Sequence, residues 1–154
     1  MFMHTWNGEE DVSGAIRTPE MSKAASAVSA RPVVRDGLLE VQRRLAMAAK
    51  VGAILEGRDI GTVVFPKAGA KFFLTATSRR RAERRHKELL AKGSASTSVE
   101  QVLTEQNQRD RDDSEREVAP LRAAPDAVII DSTDFTLEQV VEQMEQVVHS
   151  RMGK

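Results

Sequence analysis

The stretch KFFLTATSRRRAERRHKELLAK, residues 71–92, decides the reading of the fold, because a short apolar run passes directly into a long arginine-rich one. Lys71 to Leu74 has the length and two-sided hydrophobicity of a buried strand, and the segment from about Ser78 to Lys92 reads as a helix. Working outward, Ala53, Ile54 and Leu55 form an earlier run of the same kind, closed by Glu56-Gly57, and Ala127 to Ile130 a later one. A further helix is expected from about Ser98, where Gln101 can complete a capping box. The last helix is expected from Thr136, burying Leu137, Val140, Val141, Met144, Val147 and Val148. Strands alternating with helices require crossover connections, so the expected architecture is α/β, a parallel sheet with helices on both faces.

Upstream, residues 1–17 are polar and broken by glycine, which reads as an edge strand and turn. Thr18 can cap a helix with Pro19 in its first position, where the missing N–H costs nothing, and the alanine-rich stretch to Ala30 has good helix propensity. Pro32 opens a second helix whose Val34, Leu38, Val41, Leu45 and Ala48 recur at helical spacing, predicting one buried face. Gly93 to Ser98 (GSASTS) is a short low-complexity connection.

The 154 residues carry 23 basic and 23 acidic side chains, so no polyanion-binding surface follows from the total and any nucleotide must be held by a local cluster. Nucleic acid is not an expected partner. The chain has no cysteine, which removes disulfides and thiolate metal sites and fits a reducing compartment. No apolar run approaches the roughly 20 residues a membrane helix needs, and Met1 to Glu10 lacks the form of a signal peptide. A soluble, cytoplasmic protein is expected.

Ligands in open α/β sheets sit beyond the carboxyl ends of the strands, which directs attention to the segments there. In EGRDIGTVVFP, residues 56–66, Arg58 can bind a phosphate while Asp59 accepts hydrogen bonds from a base amine or a sugar hydroxyl. The alternative is a structural ion pair capping a turn. In RDRDDSEREVAPL, residues 109–121, Arg109, Asp113 and Arg116 fall at intervals that place them on one helical face. The alternative there is a solvated charged face. Ser26 and Arg35 bracket the junction of the first two helices, where a serine more often caps and a surface arginine does little. Arg79, Arg80, Arg81, Arg84 and Arg85 form either a solvated face or planar groups able to stack on a base. Trp6 reads as a packing residue, and His4, His86 and His149 have no metal-ligand spacing.

In order, these pieces resemble the bacterial cytidylate kinases over nearly the whole chain. The resemblance rests on EDVSGAIRTPEMSKAAS (10–26), Arg35, LEGRDIGTVVFP (55–66), FFLTATSRRRAERR (72–85) and RDRDDSEREVAPLRAAPDAVIIDST (109–133). It implies a three-layer fold of the P-loop, nucleoside monophosphate kinase type. The implied reaction is transfer of the ATP γ-phosphoryl group to CMP or dCMP, with Mg²⁺ bridging the ATP phosphates. By the same resemblance Ser26, Arg35 and Asp59 read the cytosine ring, and Arg58 contacts the CMP phosphate. Arg109 and Asp113 lie near the sugar, Arg116 reaches the phosphates, and Arg81, Arg84 or Arg85 lies against adenine. Residues 1–30 would belong to the monophosphate-binding insertion and 31–154 to the core, with a lid at about 94–120.

One departure stands out: no GxxxxGK[ST] occurs, the loop whose amides and lysine cradle donor phosphates and whose hydroxyl binds Mg²⁺. The expectation is therefore a chain missing its N-terminal strand and phosphate loop, inactive alone, and either a monomer or dependent on that missing half. Loss of a strand would leave sheet edges and apolar faces uncovered. Two alternatives belong to other classes. One is a non-catalytic nucleotide-binding module or pseudokinase, and the other is an interaction protein using its charged helices.

Overall fold

The computed structural model describes residues 5–91 and 97–152. His4 and most of the connection expected at 93–98 lie outside them, and so does the Trp6 side chain. Backbone contacts divide the chain into two units, 1–53 and 54–154.

In the first unit, β1 (Trp6–Asn7) pairs antiparallel with β2 (Glu10–Asp11), in register Trp6↔Asp11. The turn between them requires Gly8, whose φ of 63° is a left-handed conformation that glycine adopts without a Cβ clash. The edge strand and turn expected of residues 1–17 are this ladder. Helix α1 (Pro19–Ser29) starts as anticipated, Thr18 Oγ1 accepting from the Met21 N–H at 3.2 Å with proline at its first position. Helix α2 (Pro32–Met47) follows Pro32 as its sequence predicts, but its apolar stripe is not buried. Leu38 is 46 % and Leu45 66 % exposed, because no described element of this unit lies over that face.

The second unit holds a parallel pair, β3 (Phe72–Thr75) and β4 (Val128–Asp131), in register from Phe72↔Val128 to Thr75↔Asp131. Between them run α3 (Ser78–Ala91) and α4 (Val99–Glu115), which pack on each other, and α5 (Leu137–Met152) ends the chain. Helix α4 begins at the anticipated capping box, with Gln101 N–H donating to Ser98 Oγ and Ser98 N–H to Gln101 Oε1. The core consists of Val64, Ala76, Ala82, Val102, Ala124, Ile130 and Val140, mostly small side chains.

Two further expectations are corrected by the structure. Ala53 to Leu55 is not a strand: it has irregular backbone and Ile54 is fully exposed. An apolar run becomes a strand only when a neighbour supplies its ladder, and no described strand pairs with it. In α5, Val140 is buried, but Leu137 and Val141 remain exposed. The same physics accounts for both, since a pair of four-residue strands covers little surface. Leu74 and Ile129 are themselves more than half exposed. Each apolar side chain left this open forgoes roughly 1–2 kcal/mol of burial, and isolated two-stranded sheets are marginal in water. The architecture is thus α/β, helix-rich with a small parallel sheet.

Candidate functional site

Arg58 and Asp59 precede a single wide helical turn at Ile60–Val64, in which bonds reach one residue further than in an α-helix. The Asp59 carbonyl accepts from the N–H groups of Thr62, Val63 and Val64 at 3.3, 2.8 and 3.3 Å, and Phe65 N–H closes the turn on the Ile60 carbonyl at 2.7 Å. Wide turns are frequent at functional sites, and here one fixes the backbone next to both candidate residues.

The segment after the turn is stapled by Lys71, which immediately precedes β3 and is only 6 % exposed. Its ammonium donates to the Pro66 carbonyl at 2.5 Å and to Asp126 Oδ1 at 2.6 Å. Gly61 leaves room for the lysine stem, since a Cβ there would lie 3.2 Å from Lys71 Cδ. Hydrogen bonding from Lys71 holds the exposed Asp126 carboxyl below its ordinary value. A surface pocket of about 570 Å³ opens beside this staple, lined by Gly61, Thr62, Arg122 and Asp126 among others.

At the C-terminal end of α4 three guanidinium groups approach one carboxylate. Asp113 is 7 % exposed. Arg58 Nε lies 3.0 Å from its Oδ2, Arg109 Nε 3.9 Å from the same oxygen, and Arg116 Nη1 3.7 Å from Oδ1. The last two are ion-pair contacts too long for hydrogen bonds. The first is short but poorly aimed, because Oδ2 is buried and accepts no hydrogen bond among the described residues. Arg116 Nη2 is buried and unpartnered in the same sense. The Arg116 side chain is otherwise anchored by Nε, which donates to the Ala119 carbonyl at 2.7 Å, and the Leu121 N–H donates to the Asp113 carbonyl at 2.7 Å.

A structural ion pair needs one arginine per aspartate; this cluster has a formal surplus of two positive charges. Like charges gathered around a buried, incompletely bonded carboxylate are costly unless an anion balances them. Chemically, the arrangement is suited to a phosphate. Arg58 pairs across the unit with Asp113 of α4, and Asp113 is buried while Arg109 stays largely exposed.

The other candidates are held by different contacts. Ser26 is exposed on α1, and its carbonyl accepts from Ser29 Oγ at 3.1 Å; Arg35 on α2 donates to the Ser29 carbonyl at 3.3 Å. Both belong to the first unit. Arg81 joins α3 to α4, donating to Asp110 Oδ2 at 2.6 Å, to the Ala76 carbonyl at 3.1 Å and to Ser78 Oγ at 3.1 Å. Arg84 ties α3 to the end of β4, donating to Ser132 Oγ at 3.1 Å and the Phe135 carbonyl at 3.3 Å. Arg85 is exposed and pairs with Glu88 of its own helix at 3.0 Å. The carboxyl ends of the two parallel strands are cross-tied: Thr77 N–H donates to Thr133 Oγ1, and the Asp131 carboxyl, held low by Thr133, accepts from that residue.

Sequence reasoning passed over Lys71, Asp126 and Ala119. A lysine heading an apolar strand was the available signal for the first, since lysine is almost never buried without a partner. Ala119 carried none; its φ of 50° makes it the one described non-glycine residue with positive φ.

The chain matches the Cytidylate kinase family over residues 2–150. It is 54% identical to the cytidylate kinase of Citrifermentans bemidjiense over 148 residues, 96% of this chain and 62% of that protein. With the cytidylate kinase of Geobacter sulfurreducens it shares 54% over 147 residues, 96% and 61% of the two chains, and with that of Vibrio cholerae 48% over 143 residues, 93% and 62%. The chain thus spans about three-fifths of the length of the curated relatives it matches. A match running from residue 2 to residue 150, through the wide turn and the arginine cluster alike, places the chain in the cytidylate kinase family.

Proposed function

We propose that this chain is the part of a cytidylate kinase that binds CMP or dCMP and closes on its phosphate, for transfer of the γ-phosphoryl group of ATP to give CDP or dCDP. The observation that carries the proposal is the convergence of Arg58, Arg109 and Arg116 on the buried Asp113. In the reaction an oxygen of the CMP phosphate attacks the γ-phosphorus, the bond to the β-phosphate oxygen breaks, and ADP leaves with the electron pair. The protein contributes position and electrostatic stabilisation rather than covalent chemistry. Arg58 holds the CMP phosphate, Arg109 and Asp113 face the sugar, and Arg116 reaches the phosphates as the lid closes and excludes water.

Cytosine is chosen by Asp59 with Ser26 and Arg35. An acceptor at Asp59 favours the ring amine of cytosine and repels the carbonyl that uracil carries at the same place. Residues 1–30 serve as part of the monophosphate-binding insertion within a three-layer kinase fold, 31–154 as its core, and about 94–120 as the lid. For adenine the proposal retains Arg81, Arg84 and Arg85. Arg81 and Arg84 would have to leave the internal bonds described above, so Arg85 is the first of the three to substitute.

ATP brings Mg²⁺, which screens its phosphates. Among the described residues no group of three or more His, Asp or Glu side chains is placed to hold a metal ion. The 154 residues also contain no GxxxxGK[ST]. In this proposal the donor phosphates are held by residues beyond these, and the chain alone binds CMP without turning it over. No described helix is long and apolar enough to cross a membrane. The proposal takes the chain as a monomer, or as dependent on a further segment, acting in the cytoplasm.

The test is calorimetric titration with CMP and with UMP, on the chain and on its Asp59→Asn variant. The proposal expects CMP to bind in clear preference to UMP and Asp59→Asn to erase the preference. Equal binding of both bases by the unmodified chain sinks it.

A further inference from the structure

We propose that Ala119 is a positioning residue, whose left-handed backbone aims its own carbonyl at Arg116 Nε so that the guanidinium offers Nη2, and not its two-pronged edge, to a phosphate oxygen. The inference rests on reading the arginine cluster as a phosphate site, and it concerns how one arginine of that cluster is held.

Alanine at a φ of 50° is disfavoured, because the Cβ crowds the backbone, and Pro120 restricts Ala119 further. A backbone held this way persists where its surroundings over-determine it. Two hydrogen bonds do so here. Arg116 Nε donates to the Ala119 carbonyl at 2.7 Å, and the Leu121 N–H on the far side of the turn donates to the Asp113 carbonyl at 2.7 Å. The bent segment from Glu117 to Leu121 is therefore tied to the end of α4 by two bonds, next to the two residues it serves.

The consequence follows from guanidinium geometry. The group is planar and rigid, so fixing two of its nitrogens fixes the third. Nε is taken by the Ala119 carbonyl, and Nη1 faces Asp113 Oδ1 at 3.7 Å. Nη2 is buried without an acceptor among the described residues, and the Arg116 side chain is only 18 % exposed, so it has little freedom to swing. A phosphate oxygen that displaces the groups now covering Nη2 supplies the acceptor it lacks. Without the Ala119 carbonyl the side chain would turn to present both Nη groups, or pair more closely with Asp113 and present neither.

The test has a reading that needs no ligand and one that does. In the free chain, hydrogen exchange at the Arg116 Nε–H is followed by NMR, with the exposed Arg111 as reference. Protection is expected in the unmodified chain and in Ala119→Gly, which keeps a left-handed backbone without strain, and loss of protection in Ala119→Val. CMP affinity is then measured for the same proteins. Ala119→Gly should stay within about twofold of the parent. Ala119→Val should fall by about tenfold, as expected for loss of one charge-assisted hydrogen bond. In an Arg116→Ala background the valine should cost nothing more. Exchange at Arg116 as fast as at Arg111 in the unmodified chain overturns the inference, and this measurement stands even if Ala119→Val does not fold. Equal loss of affinity from the valine with and without Arg116 overturns it as well, since a merely structural turn would behave so. If the unmodified chain binds no CMP, the proposed function fails, and the exchange result alone decides the clamp.

Discussion

Replacing Asp113 by asparagine removes one negative charge from the midst of three positive ones while keeping the shape of the side chain. Arg58 Nε, Arg116 Nη1 and Arg109 Nε lie at 3.0, 3.7 and 3.9 Å from its oxygens. A pair at 3.0 Å interacts by roughly 1.4 kcal/mol in bulk water and about four times that at an effective dielectric constant of 20. The Arg58 and Arg109 side chains are 39 % and 56 % exposed, so solvent screening puts their terms near the lower figure. Asp113 itself is buried, which raises its worth, although asparagine recovers part of the desolvation cost. The net expectation is a loss of about 2 kcal/mol from the second unit. At about 4–8 °C per kcal/mol for a domain of this size, the melting temperature should drop by roughly 10 °C. The variant should also invert a salt effect. Sodium chloride screens attraction in the parent but repulsion among three uncompensated arginines in the variant, so raising salt should narrow the gap between them. Thermal melts by circular dichroism at low and high salt read both effects. A variant that melts within a degree of the parent at low salt, or a gap that widens with salt, refutes the reasoning.

Other consequences are simpler to state. Asp126→Asn should flatten the acid limb of the stability curve. The carboxyl is held low by Lys71, so its contribution is fully present above the unfolded aspartate value of about 3.9 and is lost as pH falls through the lower folded value. Melts of the two proteins that already superimpose at neutral pH, or a gap between them that stays open as pH falls well below about 4, count against the staple. Ser98→Ala removes the capping oxygen from α4 and should cost about 1 kcal/mol, with a matching loss of helical signal on warming. Gly61→Ala should destabilise modestly, because its Cβ would press on the Lys71 stem, and Gly61→Ala combined with Lys71→Ala should recover part of that loss in denaturant melts.

What could be read from the sequence is what local chemistry determines. Thr18 with Pro19, and Ser98 with Gln101, start helices because caps involve residues within one turn of each other. Phe72–Thr75 and Val128–Asp131 are apolar, β-branched or aromatic runs that found each other. Ala53 to Leu55 had the same look but no described partner, and a strand is a property of a pair. The stripe on α2 was equally visible, yet periodicity says which face is apolar and not what covers it. At the candidate site, the spacing of Arg109, Asp113 and Arg116 on one helical face was legible, whereas the approach of Arg58 was not, because it depends on how the wide turn at Ile60–Val64 sits against α4. The burial of Lys71 and the left-handed Ala119 are likewise tertiary facts, set by Asp126 in one case and by Arg116 in the other.

Whether the arginine cluster grips the phosphate of CMP is decided by comparing CMP with cytidine. Phosphorus NMR and calorimetry on the chain should show CMP bound at least about tenfold more tightly than the unphosphorylated nucleoside, the difference expected from one or two charge-assisted hydrogen bonds. The advantage should collapse in Arg58→Ala and in Arg116→Ala, with cytidine binding little changed. If CMP and cytidine bind alike, or if the phosphate advantage survives loss of both arginines, the cluster is a structural feature of the fold and does not grip the phosphate.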